Sequence, residues 1–180
     1  MNRTYTKQKR ILAIDPTTKG FGFAILEGPE SLIDWGVKEV KDNKDASRLN
    51  ARCSQQVANL IERYEPDMIV VEDYAAKGCR RCPRVRLLIR DTFKLALEKK
   101  IKIHSVSQRA VRAAFSRFGA RTKHEIAGAI AKRLPELAPR QPPYRKPWMS
   151  EDDRMSIFDA VALVLTFFFF TKKRSESPKG

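Results

Sequence analysis

Several residue types are scarce in this chain of 180 residues, and each scarcity argues against a class of protein. The chain has three cysteines, Cys53, Cys79 and Cys82. An odd number of thiols argues against a disulfide framework and fits a reducing compartment. The Cys79-x-x-Cys82 pair suggests zinc, but a structural zinc site needs a full tetrahedral ligand set. A second CxxC pair is missing and the two histidines are far apart in sequence, so zinc is not favoured.

Long apolar runs are also scarce. The longest lies near the C-terminus, at 157–170, and is interrupted by Asp159, whereas a membrane span needs about 20 apolar residues. The opening segment, MNRTYTKQKR, has no apolar core of a secretory signal. We therefore expect a cytoplasmic protein whose last apolar run is a buried core helix.

Acidic residues are few relative to basic ones. Lys and Arg total 36 against 21 Asp and Glu, which gives a formal net charge of +15. Such a surface attracts polyanions, and nucleic acid is the leading candidate partner. The length suits one domain. We predict a basic N-terminal extension at 1–9, a single domain at 10–171 and a disordered basic tail at 172–180.

Hydrophobic periodicity predicts an α/β protein. Short apolar runs bounded by turn residues indicate strands, at 10–15, 21–27, 32–40, 67–72 and 101–106. Apolar residues at three- and four-residue steps indicate helices, at 46–64, up to about 99, at 108–118, at 123–134 and from about 150. The segment 135–148 holds five prolines and is predicted to be a loop. The resulting order is βββαβαβα with further helices, and the first three strands are antiparallel.

Three acids, Asp15, Glu72 and Asp159, follow or interrupt hydrophobic sequence. A carboxylate beside a core is costly unless it is paired or binds a metal. Each acid could simply mark a point where the chain reaches the surface, where acids are common. The order of elements favours another explanation. If the first and fourth strands are neighbours, Asp15 and Glu72 face one edge, and a C-terminal helix packed across the sheet can bring Asp159 there.

Clustered carboxylates repel one another unless divalent cations lie between them, and oxygen ligands suit Mg²⁺ or Mn²⁺. Two such ions about 4 Å apart can activate a water and stabilise the leaving oxygen of a phosphodiester. In a strongly basic protein, an acidic cluster of this kind predicts phosphodiester hydrolysis.

The motifs around these acids resemble those of a known family. ILAIDPTTKGFGFAIL resembles the first motif of RuvC-like Holliday-junction resolvases, in which a strand ends in Asp-Pro, here Asp15-Pro16. MIVVEDYAA is similar to the second motif and carries Glu72, and IFDAVALVL is similar to the last and carries Asp159. In ARTKHEIAGAIAKRL, Lys123 matches a lysine that precedes a helix near the active site. The resemblance covers nearly the whole chain.

This resemblance implies an RNase H-like fold, a five-stranded mixed sheet flanked by helices, and a homodimer. It also implies Mg²⁺-dependent symmetric nicking of four-way DNA junctions. Asp15, Glu72 and Asp159 would be ligands of two Mg²⁺ ions, for which Mn²⁺ could substitute. Lys123 would position phosphate or stabilise transition-state charge; alternatively it is an ordinary solvated lysine.

The sequence departs from the family at a fourth acid, which relatives commonly place three residues before the last one. That position here is Ser156. On a continuous helix Asp152 would lie within about 20° of the face of Asp159, so Asp152 is the predicted fourth catalytic acid and metal ligand. Alternatively, Glu151, Asp152 and Asp153 complement the dipole of a helix that starts near Ser150, with Asp153 completing its cap.

A basic stretch follows the second motif and is the main candidate for phosphate contacts. Together with other cations and one aromatic, the predicted DNA-binding residues are Tyr74, Lys77, Arg80, Arg81, Arg84, Arg86, Arg90, Arg121, Lys123, Arg145 and Lys146. Tyr74 could stack on an unpaired base or be a partly buried edge tyrosine. Trp148 could touch DNA or pack the last helix against the core.

The sequence therefore favours a metal-dependent endonuclease that resolves four-way junctions by paired nicks. Two alternatives stay open: a nuclease of the same fold that processes structured RNA, and a non-catalytic module that binds branched DNA. The second alternative rests on the serine at Ser156.

Overall fold

The computed structural model describes residues 8–40, 45–77, 80–146 and 148–176, with side chains described up to 171. Its strands are β1 (Arg10–Pro16), β2 (Gly20–Glu27), β3 (Leu32–Glu39), β4 (Met68–Glu72) and β5 (Lys102–Val106). Its α-helices are α1 (Ala46–Tyr64), α2 (Pro83–Glu98), α3 (Gln108–Ser116), α4 (Lys123–Arg133) and α5 (Met155–Glu176). The strands form one five-stranded sheet in the order β3-β2-β1-β4-β5. β2 is antiparallel to β1 and β3, and β4 is parallel to β1 and β5, so the predicted mixed sheet is confirmed.

The sheet separates two hydrophobic cores. Because successive side chains of a strand point to opposite faces, Ile11 and Ala13 enter one core while Leu12 and Ile14 enter the other. Helices α3, α4 and α5 cover the first face, and α1 and α2 cover the second. The central strands are consequently buried on both sides, which explains their nearly continuous apolar sequences.

Helix α1 follows its prediction at both ends. The side chain of Asp45 accepts a hydrogen bond from the Ser47 amide at the N-terminus, which is a typical N-cap. Glu65 adopts a left-handed conformation after the last turn, immediately before Pro66, which cannot continue the helix.

Three predicted boundaries differ from the structure. Helix α5 begins at Met155 instead of near Ser150, and it extends through Glu176, past the predicted domain boundary at 171. The proline-rich segment contains a 3₁₀ helix at Pro135–Arg140, because proline fits the start of a helical turn and the 3₁₀ form tolerates short runs. Residues 1–7, most of the predicted N-terminal extension, and the end of the predicted tail, 177–180, lie outside the described ranges.

The apolar stretch of α5 is a core helix, as predicted. Ile157, Phe158 and the residues from Ala160 to Leu165 are all buried, between the sheet on one side and α3 and α4 on the other. Among the described residues, no helix is long and apolar enough to cross a membrane.

Candidate active site

Two buried carboxylates stand side by side where β1 and β4 end. The parallel register pairs Ile14 with Val71, and one step further along both strands it sets Asp15 beside Glu72. Both side chains point to the face covered by α5, because they share the alternation of Ala13 and Val70. Asp15 is 2% exposed and Glu72 is 3% exposed. The parallel pairing of two strands therefore produces the first half of the site.

Helix α5 brings Asp159 to the same edge. Asp159 is the only charged residue in the buried stretch from Ile157 to Leu165, and its side chain is 14% exposed. The helix can approach closely because Gly22, which pairs with Asp15 across the β1–β2 ladder, has no side chain. A Cβ atom on Gly22 would lie 2.4 Å from the carbonyl carbon and oxygen of Ser156. A glycine is thus required for α5 to reach the strands here.

Arg81 bridges the two strand carboxylates. Its Nη2 atom donates to Asp15 Oδ1 at 2.7 Å and its Nε atom donates to Glu72 Oε2 at 2.5 Å. A third hydrogen bond runs from Nη1 to the carbonyl of Pro16 at 3.3 Å. Charge-assisted bonds of this type are the strong ones in proteins, and they hold the guanidinium between the two acids.

Lys123 is the cation that pairs with Asp159, the carboxylate on α5. Its Nζ atom lies 2.8 Å from Asp159 Oδ2 and 2.9 Å from Glu151 Oε1. Lys123 is the first residue of α4, and the preceding Thr122 forms a capping box with Glu125. The cap fixes the start of α4 and therefore the origin of the lysine side chain.

Burial and mutual repulsion perturb these carboxyl groups. Burial, together with the charge of Asp159, raises the pKa of Asp15 to about 8, although Arg81 and Lys123 oppose the shift. Burial likewise raises the pKa of Asp159, against the opposing effect of Lys123. The pKa of Lys123 is raised: burial lowers it, but Asp159 and Glu151 outweigh that effect. The site thus concentrates negative charge that its own cations only partly compensate.

The donor chemistry fits a hard divalent cation, because buried carboxylate oxygens are the ligands that Mg²⁺ and Mn²⁺ prefer. Asp15, Glu72 and Asp159 would hold it. In the side-chain conformations of this structure, however, no group of three or more Asp, Glu, His or Cys residues within the described ranges is close enough to bind a metal ion. The guanidinium of Arg81 takes the place between Asp15 and Glu72.

The predicted fourth acid does not join the cluster. Asp152 Oδ2 accepts from Arg154 Nη2 at 2.6 Å, and this hydrogen-bonded pairing lowers the pKa of Asp152. The prediction that Asp152 shares a helix face with Asp159 was wrong, because Asp152 precedes the first turn of α5. Asp153 pairs instead with Lys19 at 3.3 Å. Ser156 is buried and donates its hydroxyl to the Asp153 carbonyl at 2.6 Å.

Two grooves open on either side of the carboxylates and meet at Arg80 and Arg81. The first, of about 970 Å³, is lined by Asp15, Asp159 and the loop that carries Tyr144 and Arg145. The second, of about 880 Å³, runs past Glu72 on the other side. Its cationic lining comprises Lys77, Arg80, Arg81, Arg109, Arg112 and Lys123. The second groove is therefore basic, whereas the first also contains Glu151, Asp152 and Asp153 and carries mixed charge.

The structure separates the predicted DNA-binding residues into two groups. The side chains of most of them are exposed, namely Lys77, Arg80, Arg86, Arg90, Arg121, Arg145 and Lys146. Arg84 is different: it donates to Asn50 Oδ1 at 3.0 Å between α1 and α2, so it is a structural residue. Arg81 faces the acids, Lys123 faces Asp159, and Tyr74 is half-buried against the second core.

The structure decides between the two alternatives for Trp148 and leaves the Cys79-x-x-Cys82 pair untested. Trp148 is 79% exposed, so it does not pack α5 against the core; Lys146 lies over its ring at 5.3 Å. Cys82 is exposed at the N-terminus of α2, and its CxxC partner Cys79 lies outside the described ranges.

The sequence interpretation missed several residues near the site. Glu151 was assigned to a helix start, and Arg109 and Arg112 were overlooked because they lie on α3, far along the chain from the basic stretch. A usable signal existed for the two arginines. They are three residues apart, on one side of a helix that starts directly after β5, the strand beside β4.

Comparison with known proteins agrees with this geometry. The family model described as crossover junction endodeoxyribonuclease RuvC matches residues 11–146. The RuvC crossover junction endodeoxyribonuclease of Prochlorococcus marinus strain NATL1A is 25% identical over 161 residues, which are 87% of this chain and 96% of the relative.

Solved structures show the same fold. Thermus thermophilus RuvC superimposes with a TM-score of 0.67 at 19% identity, covering 92% of this chain and 96% of that one. The yeast mitochondrial Holliday junction resolvase Ydc2 gives a TM-score of 0.67 at 17% identity, covering 94% and 81%.

The mixed sheet and its flanking helices form an RNase H-like fold. Within that class, the chain belongs to the RuvC family of crossover junction endodeoxyribonucleases, which are metal-dependent enzymes. The resemblance drawn from the sequence motifs is thereby confirmed.

Proposed function

We propose that this protein resolves four-way DNA junctions by paired nicks, acting as a homodimer with Mg²⁺ held by Asp15, Glu72 and Asp159. Two ions bind, and Mn²⁺ can replace Mg²⁺. The observation that carries the proposal is the convergence of three acids from β1, β4 and α5 where a groove of mixed charge meets a strongly basic groove. We assign the nuclease domain, predicted at 10–171, to 10–176, because α5 continues to Glu176.

When bound, the divalent cations would supply a nucleophilic water and stabilise the oxygen that leaves the cleaved phosphodiester. The protein's own residues prepare this chemistry. Strand pairing fixes the main chain of Asp15 and Glu72, so the binding of a cation would require side chains to rotate but not strands to move. Lys123 places a cation beside Asp159, where the extra negative charge of a phosphodiester transition state would develop.

The grooves indicate how branched DNA would reach the acids. One duplex arm would contact the groove that carries Arg145, and another would contact the groove that carries Arg109 and Arg112. Exposed Lys77, Arg80, Arg86 and Arg90 would neutralise phosphates between them. One structural neighbour, T. thermophilus RuvC, has been solved in complex with a Holliday junction substrate, with a TM-score of 0.67 to this chain.

The test offers purified protein and Mg²⁺ to three labelled substrates: a four-way junction, a linear duplex and a structured RNA. We expect symmetric nicks in the junction alone. Cleavage of the RNA would favour an RNA-processing nuclease. Tight junction binding without cleavage in either Mg²⁺ or Mn²⁺ would show a non-catalytic binding module instead. A crosslinking or light-scattering measurement on the same preparation tests for the dimer.

A further inference from the structure

Arg81 occupies an unusual position for an arginine in a DNA-binding protein. It belongs to a basic stretch, yet its side chain is only 23% exposed and donates to both strand carboxylates and to the Pro16 carbonyl. Both carboxylates are almost fully buried. An unpaired pair of buried acids would be strongly unfavourable, so Arg81 provides the charge that lets them stay together in the DNA-free protein.

The backbone beside Arg81 is held in place. The carbonyl of Arg81 accepts a hydrogen bond from Arg86 Nε at 2.9 Å, one turn into α2. Pro83, the first residue of α2, restricts the chain immediately after Arg81. The main chain is therefore anchored, and a change in the position of the guanidinium would come from rotation of the side chain.

Arg81 also lies where DNA phosphates would arrive. It lines both grooves, and Arg80 next to it does the same. A guanidinium binds a phosphate through the same paired N–H donors that it uses for carboxylates. The groups that can bind Arg81 are thus the two acids and an incoming phosphodiester.

We propose that Arg81 is an internal counterion that competes with the divalent cation for Asp15 and Glu72, and that a DNA phosphate draws it away. A guanidinium bridging both acids and a metal bound to the same oxygens exclude each other. DNA-free protein therefore binds the metal weakly, and junction and metal bind cooperatively. This inference rests on the metal site of the proposed function.

The coupling has a defined sign. If a phosphate takes Arg81, the carboxylates are released for the metal; if the metal takes the carboxylates, Arg81 is released for a phosphate. By linkage, each ligand raises the affinity for the other by the same factor. Couplings of this kind are on the order of 10- to 100-fold.

The first experiment measures Mn²⁺ binding to the DNA-free protein by the electron paramagnetic resonance signal of free Mn²⁺. The variants are Arg81→Gln, which keeps polarity without charge, and Arg81→Lys, which keeps the charge but carries its donors on a single ammonium nitrogen. Arg52→Gln is the control, since Arg52 is an exposed arginine on α1 that lines neither groove. We expect Arg81→Gln to bind Mn²⁺ about 10- to 100-fold more tightly than the wild type, Arg81→Lys to be intermediate, and Arg52→Gln to match the wild type.

Melting temperatures of the same proteins distinguish competition with the metal from a merely structural role of Arg81. Arg81→Gln should melt lower than the wild type without metal, because two acids lose their partner, and it should gain more on addition of Mn²⁺. A merely structural role for Arg81 would instead lower the melting temperature while leaving Mn²⁺ affinity equal or weaker, and that result overturns the inference.

The second experiment measures the coupling itself. Affinity for a four-way junction with phosphorothioate linkages at the crossover, which keep their charge and resist hydrolysis, is determined with and without Mn²⁺ at constant ionic strength. Mn²⁺ should raise the junction affinity of both proteins, but by different factors. The factor for the wild type should exceed the factor for Arg81→Gln at least about tenfold. If Mn²⁺ raises the junction affinity of both proteins by the same factor, the inference is wrong, but the proposed function is unaffected. If no variant binds Mn²⁺, with or without junction, the metal site of the proposed function fails as well.

Discussion

The strand half and the helix half of the candidate site are built in different ways. Asp15 and Glu72 are positioned by the hydrogen-bonded register of β1 and β4, whereas Asp159 is positioned by the packing of α5 over Gly22. Each half has its own cation, Arg81 in one case and Lys123 in the other. The backbone register of a sheet is hard to shift, so we expect the strand half to resist perturbation better than the helix half.

The largest effect should come from removing a carboxylate from either half. Asp15→Asn, Glu72→Gln and Asp159→Asn should each lower junction cleavage by at least about 10³-fold, because a lost metal ligand removes more than one transition-state contact. Gel-shift binding of the junction should persist. Glu62→Gln, an exposed acid on α1 that pairs with Lys99, is the control. Cleavage by any of the three variants at the control rate would show that the site is wrongly assigned.

The next largest effect should come from removing Lys123, the cation of the helix half. Lys123→Ala should reduce the cleavage rate by about 10²-fold, because Asp159 loses its cation and the transition state loses a positive charge. Single-turnover cleavage of labelled junction measures it. Lys132→Ala, an exposed lysine on the same helix, should be neutral. If Lys123→Ala behaves like Lys132→Ala, Lys123 has no catalytic part and is an ordinary surface lysine.

The helix half should be sensitive to one methyl group. Gly22→Ala would push a Cβ atom into the backbone of Ser156, and overpacking of this kind costs about 1–3 kcal/mol. Denaturant unfolding should show this loss, and cleavage should fall with it because Asp159 is displaced. Gly128→Ala in α4 is the matched control. Its Cβ would meet only an ordinary contact at 3.5 Å from Gln141 Nε2, and alanine should stabilise a helix there by about 0.5–1 kcal/mol.

The strand half should also leave a signature in the pH dependence of stability. Burial and the charge of Asp159 raise the pKa of Asp15 from its ordinary value of 3.8 to about 8 in the folded protein. Between those pH values the folded state keeps a proton that the unfolded state loses, so stability without metal should fall as pH rises and then level off above about 8. Melting temperatures from pH 4 to 9 should fall by several degrees more in the wild type than in Asp15→Asn. Parallel curves would contradict this account.

The smallest effect belongs to the acid that the structure separates from both halves. Asp152 is bound by Arg154 in a partly exposed ion pair, and such pairs contribute about 0–1 kcal/mol. Asp152→Asn should therefore leave junction cleavage within about twofold of the wild type. A loss comparable to that of Asp159→Asn would restore Asp152 as a metal ligand. The two variants can be compared in one cleavage series.

Sequence reasoning found the three acids because Asp15 and Glu72 each end a continuous apolar run and Asp159 interrupts another, and apolar patterning is the primary structural signal in a sequence. It could not find the cation that binds two of them. Arg81 looks like any other arginine of its basic stretch, and only the path of the loop between β4 and α2 turns its side chain toward Asp15 and Glu72.

The prediction of Asp152 as the fourth acid was wrong for a related reason. A helical-face argument needs a helix, and the pairing of Asp152 with Arg154 belongs to a turn before the first turn of α5. Likewise, Arg84 was grouped with its exposed neighbours, although α1 and α2 pack so that its side chain meets Asn50. A local turn decides the case of Asp152, whereas packing between two helices distant in sequence decides that of Arg84.

The approach of Gly22 to Ser156 has a consequence for how this protein can change over evolution. A Cβ atom on Gly22 would meet the carbonyl group and the hydroxyl of Ser156, so the depth of Asp159 in the site should depend more on Gly22 than on which apolar side chains fill the core around α5. Drift among Val, Leu, Ile and Phe along that helix should leave the acid where it is. Substitutions at Gly22 should be purged, and a bulkier residue at Ser156 should require α5 to move first.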